Sequence, residues 1–98
     1  MLHVERTASG TAELPLVCLH GWGMNLRVFD GVRAALERQR DTWALDLAGH
    51  GRSLWQDEDA DFATQASALL AQLPPRCVLL GWSFGGKLAL EIAAREPK

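Results

Sequence analysis

The stretch RCVLLGWSFGG, from Arg76 to Gly86, decides the fold of this chain. Its apolar first half is too short for a helix and is typical of a strand buried on both faces. The glycine-rich second half holds Ser83 near its centre, and an amphipathic helical pattern begins directly after it. A buried strand that runs into a helix without a spacer predicts an α/β protein.

The helix after this turn is predicted from the spacing of its apolar residues. We expect Pro97 to end it, because proline cannot continue a helix. The apolar positions three and four residues apart are expected to be buried, namely Leu88, Ala89, Ile92 and Ala93. Charged residues four apart are expected to stack on the solvent side, namely Lys87, Glu91 and Arg95.

Two similar strand-and-helix pairs precede this one. The predicted strands run from Leu14 to His20 and from Thr42 to Asp46. Asn25 and Asp61 stand where helix caps are preferred, and Pro74-Pro75 stops the second helix. Strands that alternate with helices predict a mostly parallel sheet with helices on both faces.

Each of these two helices shows an apolar stripe and a polar remainder. The first stripe consists of Leu26, Phe29, Val32, Ala35 and Leu36, with Arg33, Glu37 and Arg38 off it. The second stripe consists of Phe62, Ala66, Leu69, Leu70 and Leu73. The acidic stretch from Asp57 to Asp61 is expected to be a solvated linker. The segment before Leu14 is ambiguous and allows a strand near Leu2 to Arg6.

Composition limits the class of protein. The 98 residues include 48% hydrophobic and 22% charged side chains, the balance of one globular domain with a modest core. The net charge of −2 offers no basic surface for nucleic acid. The apolar runs are too short to cross a membrane and the start lacks a signal peptide, so a cytoplasmic protein is expected. Cys18 and Cys77 are expected to be buried free thiols.

The segment Gly81-Trp82-Ser83-Phe84-Gly85 matches GxSxG in the strand-to-helix context that this pattern requires. Such a turn strains the serine backbone by about 1 to 3 kcal/mol, and it is tight enough to require glycine two residues to either side. Ser83 is then the catalytic nucleophile, and the Phe84 amide faces the oxyanion from the helix N-terminus. The alternatives are a helix-capping serine in any doubly wound domain and a phosphate loop, which the spacing disfavours.

A second oxyanion donor is expected from the loop after an earlier strand. His20-Gly21-Trp22-Gly23 is that loop, and we assign the donor to the Trp22 amide. His20 is interpreted as the residue that orients the loop, with a general base as the alternative. His3 and His50 have weaker cases, because His3 is in an unplaced segment and His50 is in a glycine-rich turn.

Three blocks of this sequence resemble the α/β-hydrolase family: HGWG at 20–23, DLAGHGRS at 46–53 and GWSFGG at 81–86. Their order and spacing match the HGxG, DxxGxGxS and GxSxGG blocks of that family. The resemblance implies that the Leu16 to His20 strand lies beside both other strands, and that Asp46 orders a loop and is not catalytic. The binding crevice is expected at the carboxyl ends of the first and third predicted strands.

The tryptophans of HGWG and GWS make the chain similar to the carboxylesterases that cleave the methyl ester of pimeloyl-acyl carrier protein in biotin synthesis. This implies a small acyl ester, free or carried on acyl carrier protein, an acyl-enzyme and no metal or cofactor. Trp22, Ser83 and Phe84 would contact the substrate. The alternatives are a small-ester or lactone hydrolase, an acyltransferase, a carbon–carbon bond hydrolase and a non-catalytic binding protein.

The resemblance covers residues 1–98 but only the front part of the family's length. We therefore interpret the chain as the N-terminal portion of a single α/β-hydrolase domain, without the lid and the C-terminal strands. Family triads place the acid and the histidine after the nucleophile, whereas the residues after Ser83 include only Glu91, Glu96 and no histidine. The chain alone is expected to be inactive, and its exposed strand edge is expected to promote self-association.

Overall fold

A computed structural model describes residues 2–95. Within these residues, four strands form one sheet in the order β1-β3-β2-β4. The strands are β1 (Val4–Thr7), β2 (Leu16–Leu19), β3 (Thr42–Leu45) and β4 (Val78–Gly81). β2 is parallel to both β3 and β4, and β1 is antiparallel to β3. The predicted, mostly parallel sheet is confirmed, with the first predicted strand between the other two.

Helices cover both faces of this sheet, as predicted. They are α1 (Asp30–Leu36), α2 (Phe62–Gln72) and α3 (Phe84–Arg95). Val17 and Leu19 of β2 pack on one face with residues of α2 and α3. Leu16 and Cys18 pack on the other face with the segment that leads into α1. β2 is therefore apolar at every position because both of its faces are buried.

The start of α1 corrects the predicted stripe. A 3₁₀ turn, Leu26–Phe29, precedes the helix, and the Asn25 side chain caps this turn through the Arg27 amide at 2.8 Å. Because a 3₁₀ turn has three residues per turn, it shifts the face that meets the sheet. Val32 is therefore exposed and Arg33 is buried, which is the reverse of the expectation. Ala35, also expected in the stripe, is exposed.

Burial of Arg33 is compensated by the hydrogen bonds of its guanidinium group. Its Nε donates to Thr42 Oγ1 at 3.2 Å, and its two terminal nitrogens donate to Glu5 Oε1 at 3.0 Å and Thr7 Oγ1 at 2.9 Å. A planar group with donors in a fixed fork can satisfy three acceptors at once. Arg33 therefore fastens α1 to β1 and β3, which an apolar residue could not do.

Further differences occur at α2 and α3. The acidic linker contains a 3₁₀ turn, Asp57–Ala60, and the Asp61 side chain accepts from the Thr64 hydroxyl instead of capping an amide. Leu88 and Ile92 are buried as predicted, but Ala93 is exposed. Glu91 is half-buried because it accepts from Arg95 Nε at 2.8 Å. Glu96 and Pro97 lie outside the described residues.

β4 is only partly the buried strand that its apolar run predicts. Val78 and Leu80 are 40% and 37% exposed, because the described elements on that face lie over β2 and β3. β4 is also an edge strand of the described sheet. Cys18 is buried, which raises its thiol pKa to about 11, and Cys77 is half-buried; both are free thiols. No helix within residues 2–95 is both long and apolar enough to cross a membrane.

Candidate active site

The turn between β4 and α3 has the geometry of a nucleophile elbow. Ser83 is exposed and has a φ of 55°, the left-handed conformation that side chains rarely adopt. A Cβ atom at Gly85 would lie 2.1 Å from the Leu19 carbonyl oxygen, and one at Gly81 would lie 2.5 Å from the Gly86 Cα. The turn therefore has no room for side chains at either position, and Ser83 stands at the carboxyl end of the sheet.

The turn His20-Gly21-Trp22-Gly23, called here the HGWG turn, packs directly against this elbow. A Cβ atom at Gly21 would lie 3.2 Å from the Trp82 carbonyl oxygen and 3.4 Å from Ser83 Cβ. The Trp22 and Phe84 rings meet edge to face, with centroids 5.7 Å apart. Within residues 2–95, the amides of Trp22 and Phe84 have no hydrogen-bond partner. Both donors therefore remain available at the ends of adjacent parallel strands.

His20 uses both of its ring nitrogens inside the fold. Its Nε2 accepts a hydrogen bond from the Leu47 amide at 2.9 Å, so the ring proton is on Nδ1, 2.7 Å from the Gly21 carbonyl oxygen. His20 is fully buried, and this burial lowers its pKa from the usual 6.5. A neutral ring with both nitrogens occupied can orient the HGWG turn but has no free nitrogen for a proton transfer.

Asp46 organises the loop after β3. Its buried carboxylate accepts from the Leu26 amide and the Arg52 amide, both at 2.9 Å. Ser53 Oγ donates to the Asp46 carbonyl oxygen and accepts from the His3 amide at 2.9 Å. These bonds tie the start of the first helical segment, β1 and the loop together. Asp46 thus occupies a position that orders the backbone of these segments.

His50 and Trp55 belong to this region, although neither stood out in the sequence. His50 Nε2 accepts from the Gly23 amide at 2.8 Å, and its ring meets the Trp22 ring at 4.7 Å. The Trp55 ring meets Trp22 at 6.3 Å. A cleft of about 480 Å³ lies here, lined by Trp22, Gly23, Ala48, Gly49, His50 and Trp55. No pattern in the sequence pairs position 50 with position 23, so only the folded loops reveal this contact.

The two tryptophans of the motifs lie at the surface. Trp22 is 61% exposed and borders the cleft, whereas Trp82 is 53% exposed and is not among the residues that line it. Trp82 is therefore not packed in the core. Among residues 2–95 there is no group of three or more His, Cys, Asp or Glu side chains that could hold a metal ion.

Comparison with known proteins places this architecture. A family model described as the alpha/beta hydrolase fold matches residues 15–98. The chain belongs to the α/β-hydrolase family. The pimeloyl-[acyl-carrier protein] methyl ester esterase of Nitrosomonas europaea is 38% identical over 98 residues, which cover 99% of this chain and 37% of that relative. The protein of the same name from Pectobacterium carotovorum is 40% identical. The matched residues make up 91% of this chain and 34% of that relative.

Solved α/β-hydrolase structures agree with this assignment. A marine microorganism esterase has a TM-score of 0.86 and 25% sequence identity. The match covers 98% of this chain and 37% of the esterase chain. An alpha/beta hydrolase from Novosphingobium aromaticivorans has a TM-score of 0.87 and 27% identity, over 98% of this chain and 36% of its own. The predicted fold class is therefore confirmed. The chain spans 37% and 34% of the length of the two curated relatives described above.

Proposed function

We propose that residues 1–98 are the N-terminal portion of a single α/β-hydrolase domain that acts as a serine carboxylesterase. Ser83 is the nucleophile, and the Trp22 and Phe84 amides stabilise the oxyanion. The observation that carries this proposal is the elbow, where Ser83 has a φ of 55° and Gly21 of the HGWG turn packs against it. A backbone strained by about 1 to 3 kcal/mol is found mainly at functional sites, where the surrounding structure enforces it.

The reaction proceeds through an acyl-enzyme. Ser83 Oγ attacks the ester carbonyl carbon while a histidine base accepts the hydroxyl proton. The carbonyl oxygen becomes an oxyanion bound by the Trp22 and Phe84 amides, each worth about 2.7 to 4 kcal/mol in the transition state. The alcohol leaves with the proton from the histidine. Water then adds to the acyl carbon, the acid departs, and Ser83 recovers its proton; none of these steps requires a metal or a cofactor.

We place the histidine base in the part of the full-length protein that follows this chain. His20 and His50 each have both ring nitrogens in hydrogen bonds, so neither can accept the Ser83 proton without breaking one. His3 lies beside β1, where its backbone pairs with Asp46 and Ser53. Loss of the histidine from a serine triad lowers kcat by a factor on the order of 10⁶. We therefore expect the 98 residues alone to be inactive.

For the substrate we propose the methyl ester of pimeloyl-acyl carrier protein. Two relatives at 38% and 40% identity carry the name of an esterase for this ester. The cleft beside the HGWG turn supports the proposal, because two tryptophans, Trp22 and Trp55, offer an acyl chain an apolar surface. The products are methanol and pimeloyl-acyl carrier protein with a free carboxyl group. A cytoplasmic location and contact with acyl carrier protein stay predictions.

The test is an assay of the full-length protein that carries this sequence, with methyl pimeloyl-acyl carrier protein as substrate and methanol release as readout. We expect turnover by the natural protein and by Ser67→Ala, which removes an exposed hydroxyl on α2. We expect Ser83→Ala to lose activity by a factor on the order of 10⁶. Hydrolysis of short methyl esters but not of the carrier-bound ester would refute the substrate, and undiminished turnover by Ser83→Ala would refute the mechanism.

A further inference from the structure

The HGWG turn and the loop Leu47–Ser53 after β3 are joined reciprocally through two histidines. His20, on the HGWG turn, accepts the amide hydrogen of Leu47 on the other loop at 2.9 Å. His50, on that other loop, accepts the amide hydrogen of Gly23 on the HGWG turn at 2.8 Å. Each loop therefore supplies one imidazole acceptor and one amide donor, and each bond helps to fix the position of both loops.

The chemistry of these bonds indicates which tautomer of His50 they require. A backbone amide can only donate, so His50 Nε2 must present a lone pair to Gly23, and the ring proton is then on Nδ1. That proton points to the Ala48 carbonyl oxygen, which lies 2.9 Å from Nδ1. A cationic ring would place a second hydrogen on Nε2, facing the Gly23 N–H. Protonation of His50 would therefore replace an attraction by a repulsion at this contact.

The hydrogen bond between Gly23 and His50 lies next to the proposed oxyanion donor. Gly23 follows Trp22, whose amide we assign to the oxyanion, and the His50 ring also meets the Trp22 ring at 4.7 Å. A shift of the Gly23 peptide therefore moves the Trp22 amide as well. Catalytic donors act from a fixed position, because hydrogen bonds to an oxyanion weaken steeply with misalignment.

We propose that His50 is a positioning residue for the oxyanion hole: as a neutral ring it holds the HGWG turn, and with it the Trp22 amide, beside Ser83. The proposal rests on the esterase function proposed above. In this role His50 acts on the oxyanion hole through Gly23 and Trp22, although its ring also borders the cleft proposed for the acyl chain.

Other groups lie close to His50. Among the described residues, the HGWG turn presents His20, whose ring centroid lies 5.1 Å from that of His50. Asp46, just before the loop of His50, is engaged by the Leu26 and Arg52 amides. Trp22 and Trp55 complete the surroundings.

The first test measures ester hydrolysis by the full-length protein and two substitutions at this position. His50→Phe keeps an aromatic ring against Trp22 but removes the acceptor, and we expect kcat to fall about 10- to 100-fold with KM changed less than about threefold. His50→Gln offers an amide oxygen at the place of Nε2, and we expect it to restore most of the lost kcat. His3→Phe, a histidine substitution beside β1, is the matched control and should leave kcat unchanged.

A His50→Phe variant with the natural kcat, or a His50→Gln variant that recovers none of the lost kcat, would overturn the proposal.

A spectroscopic measurement decides the proposal without reference to activity. Nuclear magnetic resonance of the full-length protein should show scalar coupling between the Gly23 nitrogen and His50 Nε2 through the hydrogen bond, and this coupling should be absent in His50→Phe. The Trp22 amide resonance should shift in His50→Phe and return towards its natural position in His50→Gln. Absence of the coupling or an unmoved Trp22 resonance would overturn the role of His50. Failure of the natural protein to hydrolyse any ester would instead overturn the proposed function.

Discussion

The elbow after β4 and the HGWG turn after β2 each bring one amide to the same site, and neither amide has a partner within residues 2–95, but different forces hold the two segments. The elbow is fixed by close packing, because a Cβ atom at Gly85 would come within 2.1 Å of the Leu19 carbonyl oxygen. The HGWG turn is fixed by hydrogen bonds to His20 and His50. We therefore expect the elbow to be intolerant of added volume, and the stability conferred by the turn to depend on pH through His20.

The largest stability effect that this comparison predicts is at the elbow. Gly85→Ala puts a methyl group against the backbone of β2, which no side-chain rotation can relieve, so we expect the full-length protein to lose about 3 kcal/mol or more. Gly86→Ala is the matched control, because its Cβ would lie 3.4 Å from the Gly81 carbonyl oxygen, an ordinary contact. In a helix, alanine is favoured over glycine by about 0.5 to 1 kcal/mol, so this variant should be as stable as the natural protein or more so.

Urea unfolding monitored by circular dichroism measures both free energies. Equal stability of Gly85→Ala and Gly86→Ala would show that the elbow can relax, and the packing account of this region would then be wrong.

A smaller effect is predicted for the HGWG turn, and it depends on pH. Burial holds the pKa of His20 below the 6.5 of an exposed histidine. As the pH falls through 6.5, the unfolded chain binds a proton that the folded protein resists, so stability is lost on the acid side and retained above it. The slope is at most about 1.4 kcal/mol per pH unit for one group. We expect His20→Gln to flatten this dependence between pH 7 and pH 5.

Two carboxyl groups with lowered pKa values affect stability at a lower pH than His20 does. Hydrogen bonds from Arg27 and then Arg33 hold the pKa of Glu5 below 4.5, and those from Ser9 hold the pKa of Asp41 below 3.8. Their contribution to stability persists until the pH falls below these values, which is outside the window of His20. The difference between the unfolding midpoints of the natural protein and His20→Gln, measured in urea from pH 8 to pH 5, therefore reports on His20. A difference that is constant over this range would contradict the account of the turn.

The sequence predicts most of this fold because the spacing of its apolar residues agrees with the positions of the residues that cap or end helices. The apolar run Leu16–Leu19, the cap at Asn25 and the stop at Pro74-Pro75 all appear where local chemistry places them. The sequence does not predict the burial of Arg33, because the 3₁₀ turn before α1 changes which residues face the sheet and a constant helical period does not include such a change. The exposure of Val78 was missed because an apolar run does not reveal which neighbours cover it.

Only part of the candidate site can be predicted from the sequence, because local patterns do not reveal contacts between distant segments. The glycines around Ser83 can be recognised in a single segment, because the tight turn leaves no room for side chains at these positions. His50 could not be recognised in that way, because its partner Gly23 lies 27 residues away and only the adjacency of β2 and β3 brings the two loops together. Local motifs therefore predict Ser83 as the nucleophile, whereas the residues that hold the neighbouring turn can be identified only from the tertiary structure.

The central claim is that Ser83 is an activated nucleophile in the full-length protein. The most direct measurement is labelling by a fluorophosphonate, followed by mass spectrometry of the peptide that contains the modified residue. We predict stoichiometric labelling of Ser83 in the natural protein, none in Ser83→Ala, and unchanged labelling in Ser67→Ala. No labelling of the natural protein, or labelling at another serine, would contradict this assignment.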